Sequence, residues 1–176
     1  MGKITDALKK AAQERLSRIE KLDGQSEVKY EFIAKKTIDS KIDPRIIAFY
    51  DPKSPISEQY RSLRTNIQAI NAKTPLKALA ITSSSHSEGK TITAINLAIS
   101  VAQDLNKKRI LLVDADLRRA SMTKYLGIDA HPGLADLILN GINVDDAVLN
   151  IGIENLTILP SGKIPHNPAE ILGSPK

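Results

Sequence analysis

The sequence predicts an α/β fold in which a parallel sheet is flanked by helices, and three observations carry that reading. Apolar runs at residues 76–82, 110–116 and 156–160 are strand-sized and alternate with helical segments. Residues 91–105 are apolar on nearly every side (Ile92, Ala94, Ile95, Leu97, Ala98, Ile99, Val101, Ala102), as expected of a helix pressed against a sheet. A hydrophobic content of 41% in 176 residues is enough for one globular domain with a real core.

Taken in chain order, the first element is an amphipathic helix over residues 1–22. Ile4, Leu8, Ala12, Leu16, Ile19 and Leu22 recur at steps of three and four, with charged residues between them. This pattern is neither a signal peptide nor a membrane span, and it marks the segment as a docking element outside the core. Residues 23–54 are polar and punctuated by proline, and read as a linker with short strand-like patches. Ser54-Pro55 has the form of a cap followed by a first-turn proline, and Leu63, Ile67 and Ile70 form an apolar stripe behind it, so a helix is expected from Pro55 to about Ala72. The main domain then occupies residues 55–176.

Charge and composition narrow the partners. The net charge of +5 comes from 25 basic residues set against 20 acidic ones, with no basic run longer than Lys107-Lys108-Arg109. Aromatics make up 3% and tryptophan is absent, which argues against a nucleic-acid stacking surface. The chain has no cysteine, so disulfides, thiolate metal sites and cysteine nucleophiles drop out, as suits a cytoplasmic protein.

The chemistry concentrates in two motifs. Ser83-Ser84-Ser85-His86-Ser87-Glu88-Gly89-Lys90-Thr91 lies between a predicted strand and a buried helix, the setting a phosphate-binding loop requires. There the backbone N–H groups and the helix N-terminus attract an anion, and Gly89 allows close approach. Lys90 can reach the terminal phosphates, and the Thr91 hydroxyl can ligate Mg²⁺. The expected nucleotide contacts are Ser85, His86, Ser87, Glu88, Gly89, Lys90, Thr91 and Ile92. The second motif, Val113-Asp114-Ala115-Asp116, ends an apolar strand in two carboxylates two residues apart, which places both on one strand face. At the carboxyl end of a parallel strand they would meet a ligand, one holding the metal and the other orienting or deprotonating an attacking hydroxyl. The bland alternative for this pair is a turn or helix cap.

These residues resemble the bacterial tyrosine autokinases of capsular and exopolysaccharide biosynthesis, a branch of the deviant-Walker P-loop ATPases. The likeness runs from about Pro44 to the C-terminus. Asp51-Pro52-Lys53-Ser54-Pro55 followed by Glu58, Arg61 and Arg64 is similar to the family's oligomerisation helix. Ser84 to Thr91 resembles its Walker A loop, and Val113-Asp114-Ala115-Asp116-Leu117-Arg118 its second Walker motif. Gly133-Leu134-Ala135-Asp136 and Asn167-Pro168-Ala169-Glu170-Ile171-Leu172 resemble further landmarks.

The resemblance implies a P-loop NTPase fold and transfer of phosphate from Mg-ATP to tyrosine between neighbours in a ring, with Lys90, Asp114 and Asp116 as catalytic residues. Thr91, Asp114 and Asp116 would serve the metal, and Glu58, Arg61 and Arg64 the ring contact. It also implies a transmembrane chain-length regulator as partner, and so a place in the cytoplasm at the inner membrane. Two departures stand out. Where the family usually has Pro-Gly, this chain has His86-Ser87, so the loop loses its most permissive glycine. The family also continues past Ile171-Leu172 into a Walker B strand and a tyrosine-rich tail, whereas Tyr30, Tyr50, Tyr60 and Tyr125 are scattered. The expectation is therefore a piece of a longer reading frame, incomplete at the C-terminus and inactive by itself as a kinase. Two other readings compete: a partition or positioning ATPase of the same branch, which would carry a lysine where Ser84 and Ser85 stand, and a non-catalytic docking module.

Overall fold

A computed structural model describes residues 35–36, 42–73, 77–128 and 131–173, all within the unit Phe32–Lys176. The amphipathic helix expected over residues 1–22 lies outside the described residues. The helices are α1 (Ile47–Tyr50), α2 (Pro55–Lys73), α3 (Lys90–Ala102), α4 (Ser121–Leu126), α5 (Leu134–Asn140), α6 (Val144–Ala147) and α7 (Pro168–Leu172). The strands are β1 (Lys35–Lys36), β2 (Ile110–Val113), β3 (Leu149–Asn150) and β4 (Leu156–Leu159), in the sheet order β1-β3-β4-β2.

The α/β architecture is the one the apolar runs predict, with one change in the sheet. β2 pairs with β4 in parallel, Ile110 opposite Leu156 and Val113 opposite Leu159, and β1 pairs with β3 in parallel. β3 and β4 are antiparallel, because only a short turn separates them in sequence and a parallel pair needs a long crossover. The sheet is therefore mixed. Residues 77–82, the described part of the apolar run at 76–82, enter no ladder with a described strand, and Leu79 among them is 56% exposed. On β2 alternate residues turn outward, leaving Leu111 and Val113 exposed. An apolar run becomes a strand only where a neighbour accepts its backbone groups, so hydrophobicity alone could not place this one.

Helix α3 is the centre of the packing. Ile95, Leu97, Ala98, Ile99 and Ala102 are buried, and all of these but Leu97 join Ile46, Leu126, Leu149, Leu156 and Ile158 in the main core. Asn96 is fully buried among them and all its polar atoms are engaged. Its Oδ1 accepts from the Ala48 N–H at 2.9 Å, and its Nδ2 donates to the carbonyls of Arg45 at 3.1 Å and Ile92 at 2.9 Å. That amide fastens residues 42–50, the end of the sequence-predicted linker, onto α3. Ile42, Ile46 and Ala48 enter the core there. Arg45 stacks over the Tyr125 ring at 4.9 Å and pairs with Asp43 at 2.8 Å, which holds the Asp43 carboxyl down to about 2.

Helix α2 begins where the cap signal puts it: Ser54 Oγ accepts the Ser57 N–H at 3.1 Å, one residue before the proline start. Its packed face differs from the expected one. Ser57, Arg61, Arg64, Ile67 and Gln68 turn inward at helical spacing, whereas Ile56, Leu63 and Ile70 are 59%, 39% and 58% exposed. The interface with α3 is polar, because the C-terminal turn of α3 offers the Ser100 carbonyl and the Asp104 carboxylate. Arg64 donates to Ser100 O at 2.7 Å and Gln68 to Asp104 Oδ2 at 2.8 Å.

Replacing Asn96 by leucine keeps the branching of the side chain and leaves the Ala48 N–H and the Arg45 carbonyl unpaired. Each orphaned group costs about 1–3 kcal/mol, so the unfolding free energy in a urea titration is expected to fall on the order of 3 kcal/mol. Leu63→Ala, on the exposed face, is expected to move it by less than about 0.5 kcal/mol.

Candidate functional site: a phosphate loop facing two aspartates

The loop at 83–89 leads directly into α3, so the first N–H groups of the helix point at whatever lies over Gly89. Gly89 has φ +92°, and a side chain there would meet no atom within 4 Å. The position is glycine for its backbone angle, and the space above it is open. Ser87 also has a positive φ, 63°, where a glycine would be relaxed. This is the position at which the sequence departs from the family pattern, and the serine keeps the loop conformation at some strain.

Inside the loop, Glu88 folds back. Its carboxylate accepts the Ser85 N–H at 3.0 Å and the Ser84 hydroxyl at 3.3 Å, and these bonds, the Ser85 one foremost, hold its pKa below the usual value. A carboxylate thus takes a backbone N–H of the kind a phosphate oxygen would take. His86 and His166 are exposed, and His131 is partly buried.

The two aspartates stand just past the end of β2, in the turn leading to α4, and they are not equivalent. Asp114 is 5% exposed. Its Oδ1 accepts the Asp116 N–H at 3.1 Å and its Oδ2 the Met122 N–H at 3.2 Å. Burial raises its pKa, and the two backbone bonds work against that shift. Asp116 is half-buried, and its Oδ2 lies 3.3 Å from Lys90 Nζ. The turn reading of the pair describes Asp114, whose carboxylate closes the turn. Asp114 organises the turn, and Asp116 faces the loop lysine.

Thr91, on the first turn of α3, has its hydroxyl 3.0 Å from that of Ser121, the first residue of α4. Ser121 was not singled out from the sequence, because a lone serine after a charged turn carries no signal until the fold brings it to Thr91. Leu117 joins Ala135 and Ile171 in a second buried cluster, which ties the aspartate turn to α5 and α7. The Gly133 and Asp136 landmark packs against the turn after β4: a Cβ on Gly133 would stand 2.2 Å from Pro160 O, and Asp136 Oδ2 accepts the Gly133 N–H at 3.0 Å. Ile92 lies on the core side of α3, partly buried. Glu58, Arg61 and Arg64 lie elsewhere. Arg64 reaches Ser100, ten residues along α3 from Lys90 and so about 15 Å away along the helix axis.

The donor set near the loop suits a hard cation. Thr91 and Asp116 offer oxygen ligands beside open space, and Mg²⁺ commonly takes one or two protein oxygens with phosphates and water completing its shell.

The Asp114 environment yields a pH prediction. Its folded pKa lies above its unfolded value, so its charge destabilises the fold at neutral pH, and this penalty is relieved as pH falls through the raised pKa. Asparagine does not titrate. The melting temperature of the wild type minus that of Asp114→Asn is therefore expected to increase from pH 7 downward and to level off below the ordinary range of an unperturbed carboxyl. A difference that stays flat with pH would contradict the assignment.

The family described as AAA domain matches residues 76–168. The chain is similar to tyrosine-protein kinase YwqD of Bacillus subtilis (strain 168), 39% identical over 140 residues that make up 80% of this chain and 58% of that protein. It is also similar to putative tyrosine-protein kinase CapB of Staphylococcus aureus, 37% identical over 125 residues, 71% of this chain and 54% of CapB. Among solved structures, the chimerical protein CapA2B2 superposes with a TM-score of 0.65 at 35% identity, covering 78% of this chain and 61% of its own. The chain thus spans a little over half the length of these relatives. With a phosphate loop, a facing aspartate turn and a family match over more than half its length, the chain belongs to the AAA-domain family, and its relatives there include bacterial tyrosine-protein kinases.

Proposed function

We propose that this chain is the nucleotide-binding part of a protein-tyrosine autokinase of capsule or exopolysaccharide biosynthesis. The observation that carries the reading is the convergence of Lys90, Thr91, Asp114 and Asp116 at the N-terminus of α3, with the Lys90–Asp116 contact at 3.3 Å closing the two motifs on each other. Lys90 exchanges this partner for the β and γ phosphate oxygens of ATP and offsets charge that builds on the transferring group. Asp116, released from Lys90, orients the incoming tyrosine hydroxyl and takes up its proton. Asp114 keeps the turn in place through the Asp116 and Met122 N–H groups. Mg²⁺, when bound at Thr91 and Asp116, supplies neutralisation of phosphate charge.

Ring-like self-association through Glu58, Arg61 and Arg64 is part of the same proposal. Glu58 and Arg61 pair at 2.8 Å, and the stripe of Ile56, Leu63 and Ile70 at seven-residue spacing is exposed on another face of α2. A polar cavity of about 190 Å³ opens among Arg61, Arg64, Ser100 and Asp104. The Nε atoms of both arginines and Ser100 Oγ are buried there with no hydrogen-bond partner, and an acceptor from a neighbouring copy would satisfy them. No helix among the described residues is long and apolar enough to cross a membrane. We propose that a place at the inner membrane is supplied by a transmembrane chain-length regulator as partner.

In the kinase to which this chain is proposed to contribute, Lys90→Met is expected to lower autophosphorylation about 100-fold or more, read by phosphotyrosine detection with labelled ATP. Undiminished phosphotyrosine in that variant would refute the assignment. ATP hydrolysis without phosphotyrosine in the unaltered protein would point to a positioning-type ATPase.

A further inference from the structure

Two contacts join the phosphate-loop helix to the aspartate turn. One is the Lys90–Asp116 ion pair, which incoming phosphates compete for. The other is the neutral hydroxyl pair Thr91 Oγ1···Ser121 Oγ at 3.0 Å. We infer that Ser121 is a positioning residue for the cation ligand: its hydroxyl holds the Thr91 hydroxyl in the orientation in which a lone pair faces the nucleotide-bound Mg²⁺. The inference rests on the nucleotide reading above.

The chemistry requires such a partner. A threonine hydroxyl that gives a lone pair to a cation must direct its own hydrogen to another acceptor, and Ser121 Oγ is the acceptor within reach in this structure. The backbone around Ser121 is built to keep it there. Ala120, immediately before it, has φ +49° and ψ +43°, a left-handed conformation that a residue with a side chain seldom adopts. The turn is closed by the Arg119 and Ala120 N–H groups, which both donate to Asp116 O, at 3.2 and 3.0 Å. Immediately after Ser121, the Met122 N–H is held by Asp114 Oδ2 at 3.2 Å. Ser121 is thus clamped between two residues that are fixed to the aspartates, and its position reports the geometry of the second motif to Thr91. An aspartate turn in the wrong place would withdraw the acceptor from Thr91.

The test measures binding of a fluorescent ADP to the 176-residue chain across a Mg²⁺ titration and in EDTA, for the wild type, Ser121→Ala and Ser121→Thr. Ser121→Ala is expected to need about tenfold more Mg²⁺ for half-maximal enhancement of binding, with affinity in EDTA and thermal melting unchanged. Ser121→Thr keeps the hydroxyl and is expected to restore the wild-type Mg²⁺ dependence. An unchanged Mg²⁺ requirement in Ser121→Ala overturns the inference, and so does an equal loss of affinity with and without Mg²⁺, which would mean that the serine only supports the fold of the loop. Failure of the unaltered chain to bind the nucleotide under any condition overturns the nucleotide reading itself, and is seen before any variant is compared.

Discussion

The burial of α3 on every side is the constraint from which the rest of this structure follows. A helix enclosed this way has to satisfy any polar side chain within itself or its neighbours, and Asn96 does so by binding Ala48, Arg45 and Ile92 together. The same enclosure fixes the direction of the helix, so its N-terminus cannot tilt away from the sheet edge. The loop at 83–89 runs straight into this helix, so the N–H groups of its first turn share that fixed direction.

Around this axis, the two aspartates divide the tasks that the sequence motif leaves joined. Asp114 is buried, with both oxygens given to backbone N–H groups, so its charge is costly and serves the shape of the turn. Asp116 sits two residues on, at the rim, where it retains a charged partner in Lys90 and access to the open space above Gly89. Moving one residue from core to rim changes a carboxylate from a structural acceptor into a group available for chemistry. The strain at Ser87 and Ala120 falls on the two segments that flank this space, where the backbone has to turn sharply to present its donors.

Helix α2 shows the opposite economy. Its inward face is polar because it covers the C-terminal turn of α3, whose carbonyls and Asp104 need donors, and Arg64 and Gln68 supply them. Ile56, Leu63 and Ile70 are consequently left outside, with Leu111 and Val113 on β2 forming another uncovered apolar surface. Uncovered apolar area of this kind marks surfaces that other protein segments meet.

Much of the fold around the candidate site was legible in the sequence because its signals are local. A Gly-Lys-Thr after a serine-rich turn, a capped proline start at Ser54-Pro55 and a run of aliphatics ending in Asp-x-Asp each depend on neighbours in the chain, and α2, α3 and β2 begin where those signals put them; β2 ends at Val113, however, so the two aspartates expected on one strand face stand in the turn beyond it. Pairing and sidedness depend on residues distant in the chain, and these the tertiary structure alone decided. It decided that residues 42–50 belong to the core, since their few apolar side chains look like a linker until Asn96 takes their backbone groups. It decided that residues 77–82 have no ladder among the described strands, that β3 runs against β4, and that α2 packs through its polar face. It also decided the partnership of Thr91 with Ser121 across 30 residues. A hydrogen bond needs its partner within about 3 Å, and only folding brings such partners together.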